Sequence, residues 1–93
     1  MAKYVQTRSV TAQNQFTDAV DLKGYFNVSI SGTFVATVTV QRSFDSGSTW
    51  YDVETWDDTT EEYGFEPEDD IQYRIGVKTG DWTSGTAVLR ISQ

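Results

Sequence analysis

The chain contains neither cysteine nor histidine. The first absence excludes disulfide staples, thiol nucleophiles and Cys-based zinc sites. The second removes the commonest general base and the commonest metal ligand. Basic residues are scarce: 7 Lys and Arg stand against 14 Asp and Glu, for a net charge of -7 and a pI near 4.2. Phosphate backbones and anionic membrane surfaces both demand cationic side chains, so neither nucleic acid nor membrane is an expected partner. There is no long apolar run, and mean hydropathy is -0.47, which excludes a membrane-spanning helix. The opening Met1-Ala2-Lys3-Tyr4-Val5-Gln6 has no apolar core of a secretory signal, so synthesis in a cytosol is expected.

What is present is β-forming and aromatic. At 93 residues the chain has the size of one small domain, 1–93, with room for a modest core. Nowhere do apolar residues recur at helical spacing; Thr, Ser, Val, Gly and Tyr dominate instead. Phe26, Val28 and Ile30 alternate with polar neighbours, as do Phe34, Ala36, Val38 and Val40. Ile71, Tyr73, Ile75 and Val77 form a third apolar face, and Ala87, Leu89 and Ile91 a fourth. Fainter strand signals cover Lys3–Val10, Phe16–Leu22, Trp50–Thr55 and Thr60–Phe65, while Lys23-Gly24 and Ser31-Gly32 read as tight turns. Short strands with turns about every ten residues predict an all-β, immunoglobulin-like antiparallel β-sandwich, with a jelly roll or small open barrel as alternatives. Tyr73, entering a late strand after Glu66-Pro67-Glu68-Asp69-Asp70, occupies the place of a tyrosine whose hydroxyl ties back to the loop backbone in such sandwiches.

The most specific local pattern is Ser43-Phe44-Asp45-Ser46-Gly47-Ser48-Thr49-Trp50. A short Asp carboxylate accepts hydrogen bonds from its own loop, Gly47 tolerates positive φ, hydroxyls satisfy the remaining turn groups, and Trp50 anchors the returning strand. It resembles the Asp box of sialidases and related β-propellers, where the box recurs once per blade, far from the catalytic centre. Here it occurs once, so the resemblance implies a hairpin turn built by Ser43, Asp45, Gly47, Thr49 and Trp50, and no chemistry.

Asp52 and Glu54 are expected on one face of the next strand, about 7 Å apart by strand rise. Glycoside hydrolysis uses paired carboxylates, but one must be desolvated, and a solvated sheet face supplies no such pocket; no catalytic residue is expected. Asp57, Asp58, Glu61, Glu62, Glu66, Glu68, Asp69 and Asp70 fall in one window with no basic residue between them. Without an Asp-x-Asp-x-Asp-Gly loop this reads as a solvated acidic edge, able to steer a basic partner, rather than as a calcium site. Neither a metal nor a cofactor is expected. Trp56, Tyr63 and Trp82 sit near turns and acids and are the candidate interface residues, since exposed aromatics anchor protein contacts. The same residues would form the platform of a carbohydrate-binding or adhesion module.

The runs Val38–Asp45, Thr49–Thr55, Tyr73–Gly80 and Ser84–Thr86 together resemble small structural proteins of tailed bacteriophages and prophages. That resemblance covers roughly the C-terminal two-thirds of the chain. It implies a non-enzymatic virion protein made in the host cytoplasm. The foremost expectation is a decoration or cement protein on the capsid exterior, bound to the major capsid protein and forming a homo-oligomer, with a trimer favoured; a head–tail or tail accessory protein comes next.

Overall fold

The computed structural model describes residues 4–93. Lys3, the first residue expected of the opening strand, lies outside the described residues. Seven strands follow one another: β1 (Val5–Val10), β2 (Gln15–Phe16), β3 (Val20–Ala36), β4 (Val38–Ser43), β5 (Tyr51–Trp56), β6 (Thr60–Val77) and β7 (Trp82–Ser92). The described residues contain no helix. All pairings are antiparallel, in the order β1-β7-β3-β6-β4-β5, with β2 added beside β6.

Two long strands organise the sheet. Residues 24–30 of β3 pair with 66–60 of β6, and residues 20–22 pair with 73–71. Between these stretches, Pro67–Asp70 stand opposite Lys23 alone, so the ladder is interrupted there. One half of the sheet is then β1, β7, the later part of β3 and the early part of β6. The other is β2 and the start of β3, the later part of β6, β4 and β5. Alternate side chains from both halves meet in one core. Phe26, Val28, Ile30, Leu89 and Ile91 come from the first half; Leu22, Val38, Val40, Ile71, Tyr73 and Ile75 come from the second. Each such aliphatic side chain, moved from water to the interior, contributes about 1.5–3 kcal/mol.

The expected turns at Lys23-Gly24 and Ser31-Gly32 are bends inside β3 instead. Around Gly32 the chain cannot reverse, because β7 runs alongside without a break, Ser31 opposite Val88 and Thr33 opposite Thr86. Glycine is needed there for closeness and for conformation: φ is +96°, and a Cβ would stand 2.4 Å from the Thr86 carbonyl oxygen. Likewise, the alternating run Phe34, Ala36, Val38 and Val40 divides at Thr37, between β3 and β4, where the chain passes from one half of the sheet to the other. The Thr37 amide donates to the Asp81 carbonyl at 2.9 Å. Such corners let one strand serve two layers.

In β4 even the outward residues Thr39, Gln41 and Ser43 are buried, because a second, thin layer lies over them. Arg74 on β6 places its guanidinium 4.2 Å from the Phe16 ring centroid and 4.4 Å from that of Trp50. Its Nε donates to Gln41 Oε1 at 2.8 Å. An arginine between two aromatic faces loses much of its hydration but keeps favourable electrostatics. Burial accordingly lowers the Arg74 pKa from its ordinary value.

Candidate functional site, an exposed aromatic face and an open strand edge

The Asp-box residues converge on one turn between β4 and β5. Ser43 Oγ donates to Asp45 Oδ1 at 2.8 Å and accepts from the Gly47 amide at 2.9 Å. The Thr49 amide donates to Asp45 Oδ1 at 2.8 Å. Gly47 takes a φ of +90°, after Ser46 at +58°, so the turn spends two left-handed residues and recovers them in side-chain hydrogen bonds. The Thr49 amide first, and then Ser43, hold the Asp45 carboxyl below its usual pKa. Trp50 leaves the turn to cover Arg74.

Asp52 and Glu54 do not share a face. The register sets Asp52 opposite Gln41 but Glu54 opposite Val40, with the shift falling between these two neighbours. Adjacent strand residues point to opposite faces, so a β-bulge at Val53 separates the carboxylates. Asp52 accepts from Gln41 Nε2 at 2.8 Å and pairs with Lys78 Nζ at 2.7 Å. The Lys78 bond, and secondarily Gln41, lowers the Asp52 pKa, while Asp52 raises that of Lys78.

The acidic window is not uniform. Glu66 is 0% exposed, at the point where β6 bends inward. Its Oε1 accepts from Arg42 Nη2 at 2.5 Å and from the Tyr73 hydroxyl at 2.7 Å. Its Oε2 accepts from the Glu68 amide at 3.0 Å. The Tyr73 hydroxyl thus reaches the loop through a carboxylate rather than through loop backbone, and the carboxylate in turn ties down that backbone. Burial, then the hydrogen bond to Glu66, pushes the Tyr73 phenol up. The remaining acids of the window are exposed, and Asp69 pairs with Lys23 at 2.7 Å. Among the described residues, no group of His, Cys, Asp and Glu is disposed to hold a metal ion.

The candidate interface residues separate into two kinds. Trp56 and Trp82 are partly buried and pack against the core, Trp56 opposite Val38 and Trp82 opposite Ala36. Trp56 Nε1 also donates to Glu62 Oε2 at 3.2 Å. Tyr63, 74% exposed, joins neither. Its companions are Tyr25, 69% exposed, and Phe65, 56% exposed. Tyr25 stands directly opposite Phe65 in the β3–β6 ladder, and Asn27 opposite Tyr63. Their ring centroids lie 5.0 Å apart for Tyr25 and Phe65, and 6.0 Å for Tyr25 and Tyr63. Ser29 Oγ donates to Glu61 Oε2 at 2.6 Å further along the same face. A shallow groove lined by Asn27, Ser29, Glu61, Tyr63 and Arg90 continues the aromatic cluster toward β7.

Tyr25 and Phe65 were not among the expected contact residues. The signal was there: Glu61, Tyr63 and Phe65 alternate with Glu62, Gly64 and Glu66, a period of two that puts both rings on one side. Gly64 serves the opposite side, where the Phe26 ring lies flat enough that a Cβ would come within 2.6 Å of it.

One further property concerns the edge. Among the described residues, 60–66 of β6 pair with β3 on one side and with nothing on the other, whereas 72–76 pair with β4 and 76–77 with β2. The sequence around that open edge is one-signed. From Ser43 to Tyr73 there is no Lys or Arg, and Asp45, Asp52 and Glu54 add to the eight acids of the window. Compared with protein-family models, with characterised proteins and with solved structures, the chain matches none.

Proposed function

We propose that this chain is a non-enzymatic structural protein of a tailed-phage virion, a decoration or cement protein that binds the major capsid shell as a small homo-oligomer, a trimer by preference. The observation that carries this reading is the Tyr25–Tyr63–Phe65 cluster. Three large rings left mostly in water on a regular sheet face cost hydration free energy that a monomer has no reason to carry, and contiguous exposed apolar surface marks contact sites. Tyrosine and phenylalanine at the centre of a contact bring apolar area at small entropic cost. The acidic surroundings favour approach to a basic partner and disfavour nucleic acid. A glycan platform built jointly from Trp56, Trp82 and Tyr63 has less support, since both tryptophans pack on the core.

We read the folded-over sheet as an immunoglobulin-like sandwich. Two inward faces around one core, a strand that changes layers at Thr37 and a buried late-strand tyrosine all support that reading.

The test is cosedimentation of the purified protein with shells assembled from the major capsid protein. Saturable binding is expected, weakened at least about tenfold by the double variant Tyr63→Ala/Phe65→Ala, as expected for central aromatic anchors. Binding undiminished in that variant would remove the aromatic face from the contact, and absence of binding would remove the capsid as partner.

A further inference from the structure

We infer that the open edge of β6, residues 60–66, is a strand-acceptor site for an extended, lysine- or arginine-bearing segment of a partner protein. The inference rests on reading the aromatic face as a contact surface, but not on the partner being a capsid protein.

Unpaired strand edges expose a row of amide and carbonyl groups that template another strand, and folded proteins usually blunt them. Here the blunting is selective. The edge is straight in register over Gly24–Ile30 opposite Glu66–Thr60, with no bulge to twist it away. Proline, the other common guard, appears only beyond it at Pro67. What the edge does carry is charge of one sign: Glu61 and Glu62 within it, Asp57 and Asp58 before it, and Glu68, Asp69 and Asp70 after it. Like charges directly opposite one another destabilise a strand pair, so a second copy of the same edge is rejected. The same carboxylates attract a strand that carries basic side chains, which is specificity by a repulsive element joined to an attractive one.

The two faces of the edge complete the description of the occupant. On the outer face, Tyr63 and Phe65 with Tyr25 behind them offer rings to apolar residues, or to the flat side of a guanidinium. On the inner side, Glu62 is exposed although Trp56 Nε1 reaches it. An added strand therefore meets Glu61, Tyr63 and Phe65 along the outer face and Glu62 on the inner one. Recognition by strand addition takes affinity from main-chain hydrogen bonds and selectivity from alternate side-chain contacts.

The experiment uses the ¹⁵N-labelled full chain and two synthetic octapeptides, one alternating Lys and Val, the other Glu and Val. With the Lys/Val peptide, the alternate amides of 60–66 that do not bond to β3 are expected to shift and to gain protection from hydrogen exchange. The Glu/Val peptide leaves them unchanged. The charge reversal Glu61→Lys/Glu62→Lys is expected to weaken Lys/Val binding about tenfold or more, and raised salt to weaken binding by the unaltered chain. Four results overturn the inference: equal binding of both peptides, no binding of either, shifts centred on the β1 or β5 edge, or self-association through 60–66 seen by sedimentation. The outcome is separable from that of the function proposed above. Peptide binding tests the edge without a capsid. Capsid binding through another face would leave the decoration role standing while removing the edge.

Discussion

The two halves of β6 have almost the same strand length and opposite fates. Along residues 71–77, β3 pairs with 71–73 and β2 with 76–77 on one side while β4 pairs with 72–76 on the other, and Ile71, Tyr73, Ile75 and Val77 are buried. Residues 60–66 are paired on one side, and Tyr63 and Phe65 stand in water. Alternation does not separate them, since Tyr63 and Phe65 in one half and Ile71, Tyr73, Ile75 and Val77 in the other all recur with a period of two. Position does: a ring that faces a second layer becomes core, and a ring on the outer face of a sheet edge becomes surface. Glu66 marks the boundary, turned inward to receive Arg42 and Tyr73. Stability is thus concentrated in the later half, and contact capacity in the earlier one.

The sharpest way to break this division is to truncate one side chain in each half. Ile75→Ala removes a fully buried side chain, with an expected loss of about 3–4 kcal/mol. Phe65→Ala should cost less than about 1 kcal/mol, as for an exposed site. Urea denaturation of both variants checks the contrast; equal losses would mean that the early half is core after all.

At the boundary, Glu66→Ala leaves Arg42 without its carboxylate and Tyr73 without its acceptor, and an expected loss of about 3 kcal/mol follows for breaking a buried pair. Arg42 keeps partial solvent access, which holds the cost at the lower end of that range. Tyr73→Phe removes only the hydroxyl and should cost about 1 kcal/mol. The order of the two denaturation midpoints is the check.

Within the early half, Gly64→Ala asks whether its inner side is packed. The Phe26 ring is stiff and itself lies 4.8 Å from the Tyr73 ring, so a loss of about 1–2 kcal/mol from overpacking is expected. An unchanged thermal midpoint would show that the ring has room to move.

The smallest expected effect lies outside β6, in the Asp-box turn. The Asp45 pKa is lowered on folding, so its contribution to stability is fully present above its unfolded value near 4 and is lost as pH falls through the folded value. Asp52 acts in the same direction. Asp45→Asn should therefore flatten the decline of the denaturation midpoint between about pH 5 and 2, without altering the core. An unchanged slope would mean that Asp45 does not anchor the turn.

Much of the interior was legible because period-two alternation needs only local information. Val28, Ile30, Ile75, Leu89 and Ile91 were all read as inward, and they are buried. The Asp-box turn was legible because each of its hydrogen bonds spans four residues or fewer. What escaped depends on long-range pairing. Gly24 and Ser31-Gly32 looked like turns because glycine signals a bend without saying whether a neighbouring strand follows it through. The β5 bulge that separates Asp52 from Glu54 comes from pairing with β4. Glu66 looked like one more solvated acid, since its partners Arg42 and Tyr73 are 24 and 7 residues away. Tyr25 and Phe65 become neighbours only through the β3–β6 register.

The central claim is that this domain works by surface contact through the early half of β6 and the facing part of β3. On the virion role proposed above, cryo-electron microscopy of tailed-phage virions that carry the chain tests it most directly. The expected result is density for the domain at three-fold or quasi-three-fold positions of the shell, with Tyr25, Tyr63 and Phe65 covered by a neighbouring protein. A shell without the domain, or a bound domain whose aromatic face points to solvent, would contradict it.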